Sequence, residues 1–111
     1  MFFILSNENS SIANKLLCKE YVIILYHWEN CGYCQMLMPL WNKLCKKYNK
    51  YKDICIINVE VAQMPLLRAK YRKNIAGFPT IIKYQNGKRI QEFNGERTNK
   101  QLDTFIKTKI I

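Results

Sequence analysis

Cys31 and Cys34 are the residues of this chain best suited to covalent chemistry, because two thiols separated by two residues can close a small, readily reopened disulfide. Tyr21 to Tyr26 is an apolar, β-rich run that reads as a buried strand, and Gln35 to Tyr48 carries helical apolar spacing. The pair therefore falls where a strand hands over to a helix. There, unpaired amides and the positive end of the helix dipole favour a thiolate on the first cysteine over the neutral thiol. Cys31 is the expected nucleophile and Cys34 the expected resolving thiol.

The same spacing also supplies half of a zinc site, so the reading depends on what else the chain offers a metal. Cys18, Cys45 and Cys55 are dispersed singly, there is no second C-x-x-C, and the only histidine is His27. No metal is expected. Cys18 and Cys55 fit the role of small buried hydrophobes. Cys45 lies about three helical turns beyond Cys34, too far for an intrahelical disulfide, and becomes a regulatory or intermolecular thiol if exposed. A nucleotide-binding glycine fingerprint is absent, so no cofactor is expected.

Three groups of residues together match a family. Trp28-Glu29-Asn30-Cys31-Gly32-Tyr33-Cys34, Pro39 five residues on, and Gly77-Phe78-Pro79-Thr80 before an apolar strand resemble thioredoxin and the thioredoxin-like domains of protein disulfide isomerases. The resemblance covers nearly the whole chain. It implies a thiol-disulfide oxidoreductase in which Cys31 attacks a partner disulfide and Cys34 resolves the mixed disulfide. It further implies that Pro79 is cis and faces the cysteines, and that Pro39 kinks the active-site helix. Trp28, Glu29, Gly32 and Tyr33 then form the active-site loop, with Gly32 allowing the tight turn. Gly77, Phe78, Pro79 and the Asn94-Gly95 turn form the rim that meets substrate, with Trp28 divided between rim and core. Tyr33 holds the position that sets thiolate against disulfide stability. Thioredoxins use proline there, eukaryotic isomerases histidine, and Gly-Tyr is similar to bacterial periplasmic isomerases, so the direction of electron flow is left open.

Two departures from the family stand out. Its buried acid six residues before the first cysteine is Leu25 here, and the lysine on the neighbouring strand falls at Ile56. Losing both is physically coherent, since either charge buried alone is costly. The proton that must leave the resolving thiol then passes to Glu29, to His27 or to water. The opposing expectation is that Glu29 is a solvated loop acid and His27 a satisfied strand-end imidazole.

With 111 residues, 49% of them apolar, the chain is expected to form one domain over 1-111 with a modest core. The expected elements are a helix over Ser10 to Lys19, capped by Ser10 or Ser11 and striped by Ile12, Leu16 and Leu17, and a strand over Ile54 to Val59. Pro65 is placed in the first turn of a short helix carrying Leu66, Leu67 and Tyr71. Asn86-Gly87 signals a hairpin joining Thr80 to Gln85 with Lys88 to Phe93. Thr98 and Gln101 form a capping box for a last helix whose Leu102, Phe105 and Ile106 face the sheet. The implied architecture is an α/β thioredoxin-like fold, a central mixed sheet with helices on both faces.

The net charge of +10 is spread over helices whose opposite faces are apolar, which argues for solvated faces and weakly for acidic protein partners, not for nucleic acid. Met1 to Leu5 is too short for the apolar region of a signal peptide and nothing is long enough to span a bilayer, so a cytoplasmic monomer is expected, with no membrane contact. Its partners would be proteins bearing disulfides or dithiols, with a protein reductase, a thiol oxidase or glutathione exchanging electrons. The leading reading is a thioredoxin-like reductant. The alternatives are a disulfide-forming or isomerising catalyst, an interaction module without turnover, and an iron-sulfur dimer bridged by the cysteine pair.

Overall fold

The computed structural model describes residues 1–109. Alternating side chains on the three central, apolar strands give two buried faces, and both are covered. The sheet has strands β1 (Phe2–Ile4), β2 (Tyr21–His27), β3 (Cys55–Glu60), β4 (Thr80–Gln85) and β5 (Lys88–Glu92) in the order β1-β3-β2-β4-β5. β1, β3 and β2 are parallel, while β4 is antiparallel to both of its neighbours, β2 and β5. Tyr21, Ile23, Leu25 and Ile56 pack with Leu37, Trp41, Leu44 and Cys45 of α2 (Gly32–Tyr48) and with Leu102, Phe105 and Ile106 of α3 (Asn99–Lys107). On the other face Val22, Ile24, Tyr26 and Ile57 meet Ala13 and Leu17 of α1 (Ser10–Lys19), together with Leu67 and Tyr71. The expected mixed sheet with helices on both faces is present.

Asn86 and Gly87 have φ of 52° and 82°, the paired positive values that let a two-residue turn follow the twist of β4 and β5. Thr98 caps α3 by accepting from the Gln101 amide at 3.2 Å, but the Gln101 side chain reaches the Glu96 amide instead, so the capping box is half formed. Asp103 ties α3 to α2 through Lys47 at 2.7 Å and the Tyr48 hydroxyl at 2.6 Å.

Several expectations are corrected. The run Met1 to Leu5 contains β1, an edge strand beside β3 that sequence patterning missed because three residues carry no periodicity. Asn9, not Ser10 or Ser11, stands at the α1 N-cap, and its carboxamide accepts from Ser6 instead of the helix. The buried stripe of α1 is Ala13 and Leu17, leaving Ile12 56% exposed. Pro65 lies late in a 3-10 turn, Val61–Leu66, followed by a second, Ala69–Tyr71, in place of one short α-helix. Cys18, expected to be a small buried hydrophobe, is exposed, with the Arg68 guanidinium 2.9 Å from its sulfur, while Cys45 is fully buried in the α2 core and so offers no accessible regulatory thiol. Cys55 is buried, as expected. Among the described residues no helix is long and apolar enough to cross a membrane.

Candidate active site

β2 ends at His27, the Trp28 to Asn30 loop turns the chain, and Cys31 is the N-cap of α2. Its sulfur accepts from the Cys34 amide at 3.3 Å, one of the donors a helix start leaves unpaired. The same sulfur lies 3.4 Å from the Phe78 carbonyl oxygen. The Phe78-Pro79 bond is cis, as expected, and the contact with the Phe78 carbonyl brings the proline loop against the pair. Both cysteines are free thiols, which makes this the dithiol state.

The two sulfurs differ electrostatically. Hydrogen bonding from Cys34, from its thiol and its amide, holds the Cys31 thiol below its usual range, and the Arg97 charge adds to this. Burial pushes the Cys34 thiol up to about 11. One thiol thus gives up its proton more readily near the surface while the other keeps its proton below it.

Trp28 is 43% and Tyr33 68% exposed, so Trp28 belongs to the rim and not to the core. Gly32 has open space around it and no positive φ, so the tight turn expected to require glycine does not require it; Gly77 is equally open. Gly95 is different. A Cβ there would meet the tip of the Gln101 side chain and press on Phe93, so a larger residue would displace the Gln101 oxygen that accepts from the Glu96 amide. Gly95, Pro79, Phe93 and Arg97 border a groove of about 530 Å³ beside the pair. Pro39 lies within α2 and lines a second groove, with Cys34 and Trp28, on the opposite flank.

Leu25 and Ile56 are both fully buried, so the departures seen in sequence are real gaps in the core's charge pattern. Ile56 does not stand opposite Leu25, however. That place belongs to Asn58, whose side-chain oxygen accepts from the Trp41 indole at 2.8 Å. Glu29 engages through its backbone, donating to Glu60 at 3.2 Å and accepting from Gln35 at 2.8 Å, while its side chain faces solvent.

Sequence reading missed Arg97 and Glu60. Arg97 sits two residues after Gly95, within a turn already assigned to the rim, with its guanidinium 5.9 Å from the Tyr33 ring centroid. Arg97→Gln is expected to raise the Cys31 thiol pKa and to slow its alkylation at pH 7 roughly two- to threefold, the difference shrinking in high salt because an exposed charge is screened. Iodoacetamide rates at two ionic strengths measure this.

A central mixed sheet, a dithiol capping a helix and a facing cis-proline loop define a thioredoxin fold with a site of thiol-disulfide oxidoreductase type. The thioredoxin family model matches residues 3–108, and the chain belongs to the thioredoxin family. It is 34% identical to putative thioredoxin-4 of Dictyostelium discoideum, over 87% of this chain and 94% of that protein. It is 33% identical to bloodstream-specific protein 2 of Trypanosoma brucei brucei, over 94% of this chain and 19% of that protein. Human ERp44 has the same fold, with a TM-score of 0.73 at 22% identity over 94% of this chain and 31% of that structure. The chain spans about a fifth of the length of several curated relatives, plant and animal protein disulfide isomerases among them.

Proposed function

We propose that the chain reduces disulfides in protein substrates in the manner of a thioredoxin, in a cytoplasmic setting, with a protein reductase or glutathione renewing the dithiol. Cys31 attacks the substrate disulfide, and Cys34 then attacks the mixed disulfide, leaving Cys31 and Cys34 bonded and the substrate as two thiols. The observation that carries this is the asymmetry of the pair: a half-buried, amide-stabilised Cys31 sulfur above a buried Cys34 thiol held protonated. Substrate chain would lie along Phe78-Pro79, between Trp28 and Gly95. The same chemistry run in reverse forms disulfides, and the likeness to protein disulfide isomerases favours that second reading.

The reduction potential separates the two. Equilibration with glutathione buffers is expected to give a midpoint near about −270 mV for the reductant, whereas about −180 mV would assign the chain to oxidation or isomerisation. Fractionation of the native protein checks the cytoplasmic placement.

A further inference from the structure

We propose that His27, paired across the strands with Glu60, accepts the proton that Cys34 must lose to resolve the mixed disulfide. This deepens the disulfide-exchange reading and rests on it. Side chains alternate along β2, and Tyr21, Ile23 and Leu25 face α2, so His27 emerges on the same side. Glu60 stands opposite His27 in the parallel register, on the side of β3 that carries Ile56 and Asn58 toward α2. One row deeper the pair is Leu25 and Asn58, which offers no group that titrates, and the Asn58 side-chain oxygen is already taken by Trp41. The titratable pair has therefore moved two residues along the strands, toward the mouth of the site.

His27 and Cys34 line one groove of about 400 Å³, walled by Trp28, Met38 and Pro39. It is roomy enough for water to carry a proton between imidazole and thiol. Glu60 is fixed in place, its two carboxylate oxygens accepting from the Ala62 amide at 2.7 Å and the Glu29 amide at 3.2 Å. Among the described residues, the remaining polar groups around the groove are Glu29, Gln35 and Asn42, and no lysine or arginine borders it. Cys31 and, on the far flank, Arg97 are the other charged or titratable groups that act on Cys34.

Burial holds His27 below its ordinary range, partly offset by the Glu60 charge, so at neutral pH the imidazole is uncharged and able to take a proton. The balanced step is then direct. Cys34 gives its proton to His27, the Cys34 thiolate forms a bond to the Cys31 sulfur, and the Cys31-substrate bond breaks with its electron pair on the departing sulfur. That thiolate takes a proton from the imidazolium or from water, and the two electrons of the dithiol have passed to the substrate.

Ellman's reagent reads the two steps apart, since attack by Cys31 releases one coloured thiolate and resolution by Cys34 the second. In His27→Gln the second phase at pH 7 is expected to slow at least tenfold while the first stays within twofold. In the parent protein the second-phase rate rises with pH through the imidazole midpoint. That rise vanishes in His27→Gln and moves to lower pH in Glu60→Gln, where the carboxylate no longer favours the imidazolium. Free imidazole should restore the second phase in His27→Gly. Second-phase rates and pH profiles unchanged in both His27→Gln and Glu60→Gln overturn the proposal. Should the His27 variants not fold, the Glu60→Gln profile decides alone. A parent protein with no second phase at all would instead remove the disulfide-exchange reading beneath it.

Discussion

Cys31→Ser is expected to lower disulfide reduction by roughly three orders of magnitude or more, because a serine hydroxyl at neutral pH supplies no anion to attack sulfur. Cys34→Ser should behave differently. Its Cys31 still attacks, but the buried position below no longer carries a thiol, so the protein stops as a mixed disulfide with substrate. Insulin reduction followed by turbidity would show both variants inactive, and mass spectrometry would find the substrate adduct in Cys34→Ser only. The distinction follows from position on α2. Cys31, at the N-cap, meets solvent and the Phe78 carbonyl, whereas Cys34 is one turn deeper and 2% exposed. Activity retained in Cys31→Ser, or an adduct that forms on Cys34, would reverse the assigned roles.

Trp41→Ala is expected to remove most of the fold's stability. Trp41 is fully buried where α2 crosses the sheet, and truncating a tryptophan in such a place costs about 3–5 kcal/mol. A further loss of about 1–3 kcal/mol comes from Asn58, whose side-chain oxygen keeps no partner in an apolar core. A domain of this size is stable by only about 5–15 kcal/mol, so the variant would be partly unfolded at ambient temperature. Urea denaturation is the measurement. Trp41→Phe isolates the polar component, because it keeps much of the volume yet still strands Asn58. Adding Asn58→Leu to Trp41→Phe should recover part of that loss, and a coupling energy near zero between the two positions would show that the indole contact contributes little.

How much of this was legible before the coordinates depended on how local the physics is. The helix over Ser10 to Lys19, the β4–β5 hairpin and the cap at Thr98 follow from neighbouring residues, so they stand close to where the sequence placed them. β1 was invisible because three residues become a strand only when β3 offers its edge. Cys18 is exposed although it lies beside apolar helical residues, because which side of α1 meets the sheet is set by helix docking. Gly32 sits in open space despite its place in the motif, whereas Gly95 is the glycine whose added side chain would press on its neighbours.

The sequence by itself determined the chemistry: two thiols at a helix start, a proline loop to face them, and a core without the family's buried acid, all matters of residue type and spacing. Only the tertiary structure decided which polar groups share the site. Arg97 arrives from the β5–α3 turn, and Glu60 meets His27 through the register of β2 on β3. The reason is physical. A motif fixes geometry over a few covalent bonds, whereas the electrostatics of a buried thiol depend on charges brought near it by packing, from residues that are distant along the chain.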